Sequence, residues 1–488
     1  MDASMKSITS YITFRRTGKY LCLGLLLNLF ACSQHELLDT VPDTSISSGD
    51  AFKTPARILG LVNGIYDAEK SSSLYGGRYL MYLDVRGEDF INVTANSFTG
   101  FESWNNSYSS GSTDINNLWS AAYTAINLSN ILIDGLVKHP GVVSDSLSAQ
   151  YTAEARFVRA LSYFSLVTVF ARPYTEDQGA SKGLPLRLQA ETTADNNDLA
   201  RSTVAAVYTQ ILADLDAAEA GLPAAYSSAL LNTTRAHKST AIALKTRAYL
   251  NQANYPKVVE EAIKLVPQTT APFSTTSGVQ HKLEDIVTVF SSDYTTSESI
   301  LSMPMSDLDS YTGQSSIAYI YNTNSEYYLN PDILGDGQWS STDARRNFTR
   351  LTSGKYYFKK YAKPSPFLDY IPVIRYAEVL LNYAEAAAKT GDLTLSANLV
   401  KAVHARSDAS YVFGESALST ATQLVSTIWK ERRIELLGEG FRSNDLLRNL
   451  LTIPAKGSSS LQAVAVAPSA SNYIFPAANS ELLTNKLY

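Results

Sequence analysis

The stretch Ile374-Arg375-Tyr376-Ala377-Glu378-Val379-Leu380-Leu381-Asn382-Tyr383-Ala384-Glu385-Ala386-Ala387-Ala388-Lys389-Thr390-Gly391-Asp392-Leu393 sets the reading of the whole chain. Ile374, Ala377, Leu380, Leu381, Ala384 and Ala388 recur at steps of three and four, the period of one apolar helical face. Gly391 ends that helix, since glycine enters the left-handed conformation without steric cost. A small residue (Ala386), a tight turn and an apolar anchor (Leu393) describe two antiparallel helices in close contact. Ala248 followed by Ala253-Asn254-Tyr255 repeats the arrangement. These are features of tetratricopeptide helix pairs, although ordinary helical hairpins with alanine-rich contacts leave the same trace. The two units lie too far apart to be consecutive repeats of ~34 residues.

Further stripes extend the helical pattern outward. Ser202 is expected to cap a helix carrying Val204, Val207, Tyr208, Ile211, Leu212, Leu215 and Ala218, which Gly221 and Pro223 stop. Ala149, Ala153, Phe157, Ala160, Leu161, Phe164 and Val167 mark another. The expected fold is mainly α: a tetratricopeptide-like helical-pair scaffold, about 112–266 and 374–448, packed against an irregular mixed subdomain at about 268–373. That insert is rich in Ser, Thr and Tyr, with 11 tyrosines between Tyr294 and Tyr376. Leu283–Phe290 within it reads as strand-like. An irregular insert on a rigid scaffold is where a binding surface is expected.

The chain has 488 residues and could make two or three domains or one large one; residues 51–488 are assigned to one. A net charge of -5 argues against an electrostatic grip on nucleic acid. Tyrosine stands out, at 30 residues against 17 Phe and 4 Trp, and pairs a flat apolar face with a hydrogen-bonding tip.

Arg15, Arg16 and Lys19 precede the apolar run Leu21–Phe30, the build of a secretory signal. The run is too short to span a bilayer, which takes ~20 apolar residues. It ends in Leu29-Phe30-Ala31-Cys32, which resembles a bacterial lipobox, with Cys32 as the lipid anchor; a plain signal peptide with an incidental cysteine is the other reading. Residues 1–31 are thus expected to be removed and 32–50 to form a tether. The only other cysteine, Cys22, falls in the removed segment, so no disulfide is expected.

No catalytic or metal constellation emerges. Gly179-Ala180-Ser181-Lys182-Gly183 fits the pattern of a serine-hydrolase elbow but sits in a polar loop after a helix, without the strand that such an elbow needs. His35, His139, His237, His281 and His404 are scattered, with no zinc-type spacing. Asp332 and Asp336-Gly337 only faintly suggest a calcium loop. Glu431 and Glu435, one helical turn apart, are read as part of a structural charge cluster with Arg432, extended by Arg442, Asp445 and Arg448. No cofactor and no metal are expected.

Several strings, in order, resemble one family over nearly the whole chain. They are Leu38-Asp39-Thr40-Val41-Pro42, Ala56 to Tyr66 with Asn63-Gly64-Ile65-Tyr66, Ala155 to Phe164, and Gly183-Leu184-Pro185-Leu186. Arg375 to Ala386, Glu431 to Leu436 leading into Gly438 to Arg448, Phe475-Pro476 and Glu481 follow. Together they resemble the SusD/RagB nutrient-binding outer-membrane lipoproteins of Bacteroidetes. Arg172-Pro173 departs from the Tyr-Gly turn of many members. Acidic residues after Cys32 are sparse, Glu36 and Asp39, which leaves the membrane leaflet open.

The resemblance implies a non-enzymatic, lipid-anchored protein of the outer membrane, exposed at the cell surface. It would capture oligosaccharide fragments for a SusC-like TonB-dependent transporter. It also implies a ligand surface at the loop Trp104-Asn105-Asn106-Ser107-Tyr108, since a sugar's C–H face stacks on a ring. Arg86 and Asn92 would supply polar contacts, and Tyr319, Tyr321 and Trp339 would join from the insert. Trp119 and Trp429 lie in helical stripes and are assigned to the core. A peptide ligand is the alternative; a hydrolase or a structural adaptor are weaker ones.

Overall fold

Short oxygen-bearing side chains set the helix starts. The Thr54 hydroxyl oxygen accepts the Arg57 N–H and Pro55 takes the first position of α1 (Pro55–Glu69). The structure, a computed structural model, describes residues 50–488 except Ala194, Asn196, Asp293 and Tyr294. The expected signal segment, the Cys32 anchor and all but the last residue of the tether lie outside the described residues. Thr54–Tyr488 is one compact unit.

After α1 come α2 (Arg78–Arg86), strand β1 (Phe90–Asn92) and α3 (Phe101–Asn105). Then follow α4 (Thr113–Lys138), α5 (Asp145–Phe170), α6 (Val204–Gly221), α7 (Lys238–Asn251) and α8 (Tyr255–Leu265). The insert carries β2 (Ser299–Met303), β3 (Tyr327–Leu329), β4 (Thr349–Thr352) and β5 (Lys355–Phe358). β6 (Ile371–Arg375), α9 (Tyr376–Thr390), α10 (Leu393–Ser407), α11 (Ala421–Glu435) and α12 (Arg442–Arg448) complete the main elements. The fold is mainly α, with successive helices packed as neighbours from α4 through α10. The pairs α7–α8 and α9–α10, far apart in the chain, meet in space, where Leu250, Val258 and Ala386 form one apolar cluster.

Three local expectations are corrected. Thr203, not Ser202, caps α6, accepting the Ala206 N–H at 3.1 Å. Ile374 belongs to β6, paired with Leu301 of β2, and the helix begins two residues later at Tyr376. Leu283–Phe290 is not a strand: the Asp285 carboxylate accepts the Thr288 N–H at 2.9 Å and starts a short helix, Ile286–Ser291. Ile286, Val289 and Phe290 are its buried face, a three-four spacing hidden inside a β-branched run.

Glu378, Asn382 and Glu385 of α9 are as buried as its apolar residues. Glu378 takes two 2.6 Å bonds from Arg247, Asn382 accepts from Arg432 at 2.7 Å, and Glu385 takes two 2.7 Å bonds from Arg448. Burial would raise the Glu431 carboxyl, but the Arg345 charge and the His404 hydrogen bond outweigh it and hold the group at about 2. Its stabilising contribution is therefore present above the unfolded value and lost as pH falls through about 2.

Glu69 behaves in the opposite sense. It is fully buried on α1, and desolvation raises it to about 8 against one opposing bond from the Ser162 hydroxyl, 2.7 Å. The folded chain then keeps a proton that the unfolded chain releases, so stability falls as pH rises from the ordinary carboxylate range to about 8. Glu69→Gln is expected to gain stability relative to the parent by roughly 1.4 kcal/mol per pH unit across that window. Urea midpoints of both proteins at pH 5 and pH 8 check this; an unchanged difference refutes it.

Candidate functional site

β1, β3, β5 and β4 form one antiparallel sheet in that order, which joins the 86–108 region to the Tyr-rich insert. Asn92 of β1 sits opposite Tyr327 of β3, and Tyr328 opposite Tyr357 of β5. The two regions expected to share a ligand surface are thus brought together. Most of the residues singled out in them, however, face inward.

Trp104 is 0% exposed; its indole N–H donates to the Phe90 carbonyl at 2.8 Å and its ring stacks on Phe101. Arg86 is also fully buried, donating to the Tyr108 hydroxyl at 2.8 Å, to the Tyr473 carbonyl at 2.9 Å and to Ser443 at 3.2 Å. The Tyr108 hydroxyl in turn donates a hydrogen bond to the Asn472 carbonyl. The Asn92 side-chain Oδ1 accepts the Thr94 and Ala95 N–H groups and closes a turn. Tyr321 is stacked on Phe90 within the core, at 4.9 Å. In this structure these five side chains form the wall behind a surface rather than the surface itself. Asn105 and Tyr319 are half-buried, with Tyr319 edge-on to Phe367 in a π-helical turn, Tyr319–Thr323. Trp119 is buried as expected, and Trp429 is half-buried.

Trp339 leads to a different feature. Its ring is buried, and the Arg346 guanidinium lies 4.2 Å from the ring centroid. Arg346 in turn lines a groove of about 550 Å³. The β4–β5 hairpin contributes Thr349, Lys355 and Tyr356, β3 contributes Tyr328 and Leu329, and the turn after β3 contributes Pro331 and Leu334. Tyr356 is 39% exposed. The Lys355 ammonium stands 4.7 Å from the Tyr328 ring centroid, and Tyr328 meets Tyr357 edge-on. The Arg350 guanidinium, 5.4 Å from the Tyr357 ring, continues this ladder of rings and cations. A groove with an aromatic wall, an apolar floor and pinned donors is built to hold an amphipathic, hydroxyl-bearing molecule.

The signal for this hairpin was available in the chain. Ser353 and Gly354 both have positive φ, +50° and +75°, the backbone of a tight hairpin turn. Ser-Gly between Thr349-Arg350-Leu351-Thr352 and Lys355-Tyr356-Tyr357-Phe358 is a hairpin signature.

The remaining chemical candidates are structural. Ser181 donates to Asp177 at 2.5 Å within an irregular loop that follows a one-turn helix, so the strand-to-helix elbow is not formed. Glu435 does not pair with Arg432 along its helix; it pairs with Arg345, Arg375 and Arg406, while Arg432 pairs with Asp445 at 3.1 Å. Arg442 leaves the cluster for Glu88.

Two family models account for most of the chain. One, described as starch-binding and associating with the outer membrane, matches residues 36–250, and one described as the SusD family matches residues 277–486. The chain belongs to the SusD/RagB family. SusD-like protein P2 of Formosa agariphila is 25% identical over 94% of this chain and 96% of its own. A crystal structure of a SusD superfamily protein from Bacteroides fragilis superposes with a TM-score of 0.81 at 29% identity, covering 90% of this chain and 99% of that one. A laminarin-binding SusD-like protein shares the fold, with a TM-score of 0.67 at 21% identity over 89% of this chain and 98% of that one. The SusD/RagB strings of the sequence coincide with the buried charge network: Arg375, Glu378, Glu385, Glu431, Glu435, Glu439 and Arg448 are all in ion pairs.

Proposed function

We propose that this protein captures oligosaccharides at the outer membrane and passes them to a SusC-like TonB-dependent transporter. In this reading Cys32 carries the lipid, the helical scaffold is rigid support, and the groove beside the β4–β5 hairpin is the glycan site. The observation that carries it is the half-exposed Tyr356 ring over the groove, in a chain of a carbohydrate-binding family. That a protein of the same fold binds laminarin is compatible with a glycan ligand. Tyr356 and Tyr328 would stack on sugar C–H faces, and Thr349, Arg346 and Lys355 would serve the hydroxyls. Nothing in this reading requires a metal, a cofactor or a bond-making step.

Tyr356→Ala is expected to weaken oligosaccharide binding by about 1–2 kcal/mol, roughly five- to thirtyfold, with no loss of fold because the ring is exposed. Isothermal titration with the purified Thr54–Tyr488 region decides it. Full affinity in the variant removes the groove from the reading, and tight binding of peptides in place of sugars replaces the ligand class.

A further inference from the structure

Resting on that reading, we infer that the groove selects anionic glycans, whose uronate carboxylates or sulfate esters pair with Arg346 and Lys355. Between Asp343 and Asp369 the chain holds seven Lys and Arg residues and no Asp or Glu, although its net charge is -5. Three of the seven are occupied: Arg345 is buried against Asp343, Glu431 and Glu435, Lys360 against Glu439, and the charge of Lys363 acts on Asp369. Arg346, Arg350, Lys355 and Lys359 have no ion-pair partner among the described residues. Surface cations normally mix with carboxylates, so two uncompensated cations lining one groove, Arg346 and Lys355, make a local field for anions.

The way Arg346 is held strengthens the assignment. Its Nε donates to the Ser340 carbonyl at 3.2 Å, and Nη2 donates to the Leu334 carbonyl at 2.8 Å and to that of Trp339. Three carbonyls and the Trp339 ring fix the plane of the guanidinium, while Nη1 has no acceptor among the described residues. Asp343, whose charge acts on Arg346, is itself occupied by the backbone N–H and the guanidinium of Arg345, which bonds both carboxylate oxygens. A fixed cation with spare donors suits an anionic oxygen better than a neutral hydroxyl, because charge-assisted bonds are about twice as strong. Lys355, exposed at the hairpin tip beside the Tyr328 ring, supplies the second charge. None of the groove's lining residues is acidic; Asp332 and Asp336, next to the lining Pro331 and Gly335, are the neighbouring opposite charges, the first exposed and the second paired with Lys430 at 3.4 Å.

The test is a titration series with three defined probes: an oligouronate from alginate, a sulfated carrageenan oligosaccharide and a neutral laminarin oligosaccharide. Each is measured against the parent, Arg346→Gln, Lys355→Gln and the double variant. Glutamine keeps hydrogen-bonding capacity and removes the charge. The expected result is binding of at least one acidic probe at least tenfold tighter than the neutral one, with the advantage lost in the double variant and weakened by salt. Which acidic probe prevails separates carboxylate from sulfate. Lys355→Gln is a surface change that leaves the fold intact, so it guards against an Arg346 variant that merely unfolds. Equal binding of acidic and neutral probes, or an acidic preference untouched by both changes, overturns the charge inference and leaves glycan capture standing. Binding of no saccharide at all overturns the proposed function as well.

Discussion

Replacing Arg375 with Met is expected to lower the stability of the folded chain by about 3–5 kcal/mol, the cost of breaking a buried charge network from one side. Arg375 closes β6 and is 2% exposed. It makes a two-pronged pair with Glu439, both bonds 2.7 Å, reaches Glu435 at 2.9 Å and pairs with Glu298. Those three carboxylates are themselves almost completely buried. Arg406 and Arg345 also serve Glu435, and Lys360 serves Glu439, so the carboxylates would not be wholly deserted. They would still lose a shared counter-charge that no water can replace. The shortfall appears as protonation or local opening, because an unpaired carboxylate is strongly disfavoured away from solvent. Arg375→Lys keeps the charge but loses the fork, and is expected to fall between parent and Met. Urea unfolding followed by circular dichroism measures all three. A Met variant within 1 kcal/mol of the parent would show that the remaining cations carry the network alone. A second check is the double variant Arg375→Met with Glu435→Gln, expected to lose less than the two single losses added together, since the partners share one interaction.

This network explains what the chain disclosed and what it concealed. The apolar stripe of Ala377, Leu380, Leu381, Ala384 and Ala388 located α9 and its turn, because helical period depends only on neighbours in the chain. Glu378, Asn382 and Glu385, three and four residues apart, were a second stripe, which meant that α9 is buried on both sides. Their partners Arg247, Arg432 and Arg448 lie 131, 50 and 63 positions away, a distance over which spacing carries no information. The site suffered more from the same limit. Arg86 looked available because two of its partners, Tyr473 and Ser443, come from the far end of the chain. The loop around Trp104 looked exposed because its composition is polar, yet a β1 carbonyl takes the indole N–H, and the pairing of Lys456–Gly457 with Gln462–Ala463 holds Lys456 within 5.5 Å of its ring. The groove hairpin, by contrast, was encoded locally in its Ser-Gly turn and the threonine- and aromatic-bearing strands on either side.

Trp104→Ala is accordingly expected to act on stability, with a loss of about 3–5 kcal/mol, and not on ligand contact. The change opens a cavity between α3 and β1 and removes the 2.8 Å bond to the Phe90 carbonyl. It also takes the stacked partner from Phe101 and the ring from Lys456, whose ammonium donates to the Arg86 carbonyl at 2.9 Å and to those of Val85 and Gly87 at the end of α2. Loss at Trp104 should therefore loosen both the sheet that carries the groove and the helix end beside it. Thermal melts of Trp104→Ala and Trp104→Phe, run beside titrations at a temperature where both remain folded, separate the two roles. Phe refills much of the space but cannot donate, so its loss should be smaller, about 1–3 kcal/mol. If both variants melt early yet bind glycan with parental affinity while folded, the indole is a support. A variant that melts like the parent and binds nothing would instead return the ligand to the Trp104 loop, since only direct contact removes affinity without cost to the fold.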